Sequence, residues 1–176
     1  MLKKIFFIII IGGLTSSFII PDKLKKKADK EISKFYNIEN IFKETIIISE
    51  GNNLKTLAEF NDENLFKIIS NGNLLGYGYI GSAFGKAADF DYLVLFDLDF
   101  IIIKSKILIY REEYGGEIGS KRWLKQFVGK SSNSSELVYG KTIIPISGAT
   151  ISVKSMTKAI NDLLKSIKEL QELNII

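Results

Sequence analysis

The chain contains no cysteine and no histidine. Those two absences exclude disulfides, a thiolate nucleophile, the Ser-His-Asp triad and the usual ligands of zinc and haem. A metal site built from carboxylates alone has no spacing to support it. Asp97 and Asp99 lack the pattern of a calcium loop and read as turn residues. No Gly-Lys-Ser/Thr ending marks a Walker phosphate loop, and no internal repeat is present. No cluster suggests acid–base machinery of the chain's own, so no catalytic residue is assigned. Any redox chemistry must come from an organic cofactor. Freedom from cysteine suits an oxidising compartment without requiring one.

What is present is an apolar fraction of 46% in 176 residues, enough for one domain with a sizeable core. The formal charge of +4 is unevenly placed. Residues 1–30 hold seven lysines against two aspartates, while the remainder has 17 basic against 18 acidic side chains. The body of the chain is thus nearly neutral, which argues against a nucleic-acid partner. Residues 1–20 read as a signal peptide or membrane anchor, and 21–176 as the domain. Lys3 and Lys4 precede an apolar stretch of 16 residues from Ile5 to Ile20, broken by Gly12, Gly13 and Thr15-Ser16-Ser17. Lysines 23, 25, 26, 27 and 30 outnumber those before the stretch, so charge bias alone would keep the domain in the cytoplasm.

Leu24, Ala28, Ile32 and Phe35 recur at helical spacing, predicting an amphipathic helix over Lys23–Tyr36. Its lysines are either a solvated face or a surface for anionic headgroups. Thr45–Ser49 reads as a short strand and Leu54–Phe60 as a helical turn. Leu65–Ile69 and Leu74–Phe84 form a hairpin about Asn71-Gly72-Asn73. Glycines 76, 78, 81 and 85 in the return strand mark a bulge or close approach by a ligand or another backbone. Tyr92–Phe96 and Ile101–Tyr110 form a second hairpin. Trp123 and Phe127 read as core residues of a short helix. Met156, Ile160, Leu163, Leu164, Ile167 and Leu170 define one face of a helix from about Ser152 to Leu173. The expected fold class is α+β, an antiparallel-rich sheet with flanking helices.

Ahead of that last helix stands Ser147-Gly148-Ala149-Thr150, with Ser152 two places on. The first N–H groups of a helix have no internal partner and carry the positive end of its dipole, so they favour an anion. Gly148 lets the backbone come close to such an anion, and Ser147 and Thr150 add hydroxyl donors. Read from the residues alone, the stretch is either a phosphate cradle or an ordinary Ser/Thr helix cap.

The same residues resemble the flavin-attachment motif of the FMN-binding domain family, which includes subunits of the Rnf and sodium-pumping NADH:quinone oxidoreductase complexes. The resemblance implies FMN as cofactor, joined through its phosphate to Thr150 by an exported flavin transferase. The position three residues before Ser147, an Asp in the family pattern, is Ile144 here. A second resemblance lies in the loop after the sheet, a Glu, a Gly-rich turn and a Lys ahead of Phe127-Val128-Gly129-Lys130. It implies cofactor contacts at Glu113, Gly116, Gly119 and Lys121, although the Pro common in that loop is missing. The likeness runs from about Ile68 to Ile160. It implies an electron-transfer protein on the extracytoplasmic side (the periplasm), held at the membrane by its N-terminus and served by a redox partner or membrane complex. Two other readings stand beside it. One is a membrane-anchored sensor holding FMN or another phosphate without redox turnover. The other is an envelope protein in which Ser147–Thr150 only caps a helix.

Overall fold

A computed structural model describes residues 20–176. The expected membrane-directing segment lies outside the described residues except for Ile20, which is 1% exposed. The chain forms helix α1 (Asp22–Tyr36), strand β1 (Phe42–Thr45), the single turn α2 (Glu50–Asn53) and strands β2 (Leu65–Ser70), β3 (Asn73–Phe84), β4 (Asp89–Phe96) and β5 (Ile102–Ile109). After the sheet come a 3-10 turn at Gly116–Gly119, the short helix α3 (Lys121–Leu124), a second 3-10 turn at Lys125–Phe127 and the long helix α4 (Thr150–Glu172). The strands lie in chain order and every neighbouring pair is antiparallel. This is the α+β class expected, with helices on the two faces.

Strand β4 explains why both faces are covered. Phe90, Tyr92, Val94 and Phe96 point into one core with Met156, Ile160, Leu163 and Ile167 of α4. Leu93 and Leu95 point into the other, with Leu24, Ala28 and Ile32 of α1. Side chains alternate along a strand, so a strand apolar at successive positions needs a cover on each side. Helices α1 and α4 supply those covers, each through the face its spacing predicted. Burying each aliphatic side chain contributes on the order of 1.5–3 kcal/mol.

The hairpin signals hold. Asn71 (φ 50°) and Gly72 (φ 77°) both take the left-handed backbone that a tight two-residue turn requires. At the next turn the Asp97 carboxylate accepts from the N–H groups of Asp99 (3.0 Å) and Ile101 (2.8 Å). The glycines of β3 are filled from within. A Cβ at Gly78 would meet the Phe66 ring at 2.4 Å, and one at Gly81 the Tyr92 ring at 2.4 Å. At Gly76 it would lie 2.2 Å from the Phe96 carbonyl oxygen, beside the irregularity at Ile68/Ile69. Bulge and close backbone approach therefore both occur, and aromatic rings of the protein take up the remaining space.

Two local expectations shift. The strand read at Thr45–Ser49 instead ends at Thr45 and begins at Phe42. After Ile46 donates to the Leu65 carbonyl (2.9 Å), the chain leaves the ladder and Ile48 is buried off the sheet. The helical turn read at Leu54–Phe60 forms earlier, at Glu50–Asn53. There the Asn53 side chain bonds the Phe60 N–H (3.0 Å) and carbonyl (2.7 Å), closing a loop in place of a helix.

Candidate functional site

The approach to α4 is fixed by main-chain bonds. The Trp123 indole N–H donates to the Ile144 carbonyl (2.8 Å), and the Ile144 N–H donates to Gln126 Oε1 (2.7 Å). Trp123 and Phe127 are themselves core residues, their rings edge-to-face at 5.2 Å. The Ile144 side chain is left 66% exposed. Beyond it Gly148 adopts φ 76°, and a Cβ there would meet no atom within 4 Å. Ala149 is the N-cap and is buried, while Thr150 is exposed as the first residue of the helix.

This helix start lacks the usual compensation. Helix α4 has 23 residues, no side-chain cap bond and no acidic residue in its first turn. Its free N–H groups and dipole are thus left to whatever enters the space in front of them. That space is a cleft of about 420 Å³ lined by residues 148–152 together with Lys86, Tyr110, Glu112 and Tyr114. Lys86 adds a cation to it.

The hairpin carrying Lys86 is clasped by Glu112, whose Oε1 accepts from the N–H groups of Ala87 (2.7 Å) and Ala88 (3.1 Å). These donors favour the charged form and hold the Glu112 carboxyl below its ordinary range. Gly85 is needed for the clasp, since a Cβ there would stand 2.2 Å from Glu112 Oε1. The Tyr110 hydroxyl lies 2.9 Å from the Tyr114 carbonyl oxygen and 3.2 Å from Ser152 Oγ.

The structure brings Gly148, Ala149, Thr150 and Ser152 together on one cleft. Ser147 is exposed just before it, and Ser152 is 3% exposed with its hydroxyl engaged by Tyr110. Glu113, Gly116, Gly119 and Lys121 do not line this cleft. Gly116 and Gly119 bound the 3-10 turn around buried Ile118, and Lys121 begins α3. The Gly-rich loop reaches the motif through Gly115 instead, where a Cβ would lie 2.4 Å from that of Ala149. A neighbouring groove of about 310 Å³ is lined by Glu117, Arg122, Trp123 and residues 144–146. Sequence reasoning missed Lys86, Tyr110, Glu112 and Tyr114. Signals existed for two: Gly85-Lys86 at the end of a strand, and a second Glu beside Glu113. Among the described residues, no group of three or more carboxylates is placed to hold a metal.

The donor set suits a phosphate: open space at a positive-φ glycine, an uncapped helix start without acids, and one lysine. It defines an FMN-binding domain, and residues 85–165 match the family model of that description. FMN is the cofactor of this domain. The chain is similar in structure to NqrC of Shewanella oneidensis, with a TM-score of 0.50, 16% identity and coverage of 78% of this chain and 91% of that one. It is also similar to the corresponding component of the Na+-translocating NADH-quinone reductase from Parabacteroides distasonis, with a TM-score of 0.51, 17% identity and coverage of 84% and 92%. No curated protein matches the chain.

Proposed function

We propose that this protein is an electron carrier whose FMN is held through its phosphate as an ester of Thr150. The observation that carries the reading is the exposed hydroxyl residue at the first position of the uncapped helix α4, facing a cleft with Lys86. FMN supplies reversible uptake and release of electrons; the protein binds it, orients it and shields it. The first N–H groups of α4 and the Lys86 ammonium hold the phosphate. Glu112 keeps the Lys86 hairpin in place. Tyr110 fixes Ser152 and the Tyr114 carbonyl at the cleft wall. Of the three hydroxyl residues, Thr150 alone is exposed and seated on the helix, since Ser152 is buried and Ser147 precedes the turn.

The similarity of the chain to components of a sodium-translocating reductase supports a redox partner or membrane complex as its source and sink of electrons. In this reading residues 1–20 carry the domain to the extracytoplasmic side, where a flavin transferase installs the cofactor. Among the described residues no helix is long and apolar enough to cross a membrane, so the N-terminal segment alone takes that role. Produced beside its transferase, the protein should gain the mass of one FMN less water and fluoresce after denaturing electrophoresis. Thr150→Val should lose the fluorescent band, whereas Ser147→Ala and Ser152→Ala should keep it. A fluorescent Thr150→Val band would move the bond elsewhere.

A further inference from the structure

The outer face of α1 carries Lys23, Lys26, Lys30 and Lys34, spaced three, four and four residues apart and so aligned in one stripe. All four are exposed, and none makes an ion pair among the described residues. The acids nearest in sequence are engaged elsewhere, Glu31 with Lys104 (3.0 Å) and Asp29 with Lys43. The opposite face of the helix is spent on the sheet, with Leu24, Ala28 and Ile32 at most 1% exposed. No apolar face remains to enter a bilayer, so whatever this stripe meets is met by charge.

We infer that the stripe is a seat for anionic lipid headgroups. The inference rests on the membrane role proposed for residues 1–20 and adds a surface to it. Two observations favour lipid over an acidic protein. The stripe starts at Lys23, three residues after the apolar stretch ends at Ile20, which places it at the surface that stretch would enter. Beside the start of α1, Pro21, Phe84, Ala87 and Ala88 line an open groove, and Phe84 is 58% exposed. An exposed aromatic next to a lysine row suits the headgroup boundary. The β3–β4 hairpin has this groove on one side and, through Lys86, the flavin cleft on the other. A bilayer seated here therefore lies at the flavin end of the domain.

The test uses the full chain in vesicles of phosphatidylcholine, with or without phosphatidylglycerol. Because the chain has no cysteine, Ser33→Cys beside the stripe and Lys158→Cys on α4 each take one fluorescent label. A quencher tethered to lipid headgroups should dim the Ser33→Cys label in phosphatidylglycerol vesicles and spare the Lys158→Cys label. Molar sodium chloride should abolish the effect without any further variant. Changing all four lysines to Gln should weaken it at least tenfold, since each lysine near an anionic surface tightens binding about fivefold. Equal quenching in neutral and anionic vesicles would overturn the inference. So would protection of the label by polyglutamate with none by vesicles, which would point to an acidic protein. An alkaline wash separates the two readings: stripping the chain from both vesicles refutes the anchor. A chain that stays embedded with its Ser33→Cys label undimmed refutes the stripe.

Discussion

At the scale of single residues, the site depends on backbone geometry more than on charge. Gly148 sits at φ 76° with open space where a side chain would project. Gly148→Val puts a β-branched residue into a left-handed conformation at a cost of roughly 1–2 kcal/mol and fills the space a phosphate needs. The expected result is near-native circular dichroism with no flavin absorbance; a yellow variant would place the phosphate elsewhere. Glu112 gives a pH-dependent counterpart. Its folded-state carboxyl is held below the ordinary glutamate value by the Ala87 and Ala88 N–H groups. The clasp is therefore complete above that ordinary value and is lost as pH falls through the lowered one. FMN affinity of protein made without the transferase should weaken on acidification into that range. Glu112→Gln should already bind weakly at neutral pH and show a flatter profile. An unchanged profile in Glu112→Gln would remove Glu112 from the site.

At the scale of elements, α4 presents a conflict between stability and function that a substitution can expose. Its first turn has no acid and no cap, although an acid there stabilises a helix by about 0.3–1 kcal/mol. Thr150→Asp should raise the midpoint of urea unfolding of the flavin-free protein and abolish FMN binding, because the carboxylate competes for the same N–H groups. Thr150→Val should not raise it. Loss of stability in Thr150→Asp would mean that the helix start is not the exposed positive end described here. Much of this element was legible in advance. The 3.6-residue spacing of Met156 to Leu170 and the turn glycine before Thr150 both depend on nearby residues only. The hairpin at Asn71-Gly72 was legible for the same reason. Lys86 and Glu112 were not, because they come to the cleft through strand pairing and a clasp across 24–25 residues of chain. The β3 glycines looked equally ready for a ligand or a ring, and only packing shows that Phe66 and Tyr92 take the space.

At the scale of the molecule, two cores share one sheet, and β4 belongs to both. Leu93 is fully buried on the α1 side, whereas Val94, its neighbour in sequence, is fully buried on the α4 side. A close-packed strand cannot lose its support on one face and keep its geometry on the other. The two sides should therefore unfold as one unit, as small domains commonly do. Trp123, the only tryptophan, lies in the core on the α4 side and reports on that side alone. Leu93→Ala removes buried methyl groups from the α1 side and should cost about 2–5 kcal/mol. The urea midpoint followed by Trp123 fluorescence should fall together with the midpoint followed by circular dichroism, despite the mutation lying across the sheet. Val94→Ala should move both probes in the same direction. If Leu93→Ala shifted circular dichroism while Trp123 fluorescence kept its wild-type midpoint, α1 and its core would be a separately melting layer. The α4 core and flavin cleft would then stand without it.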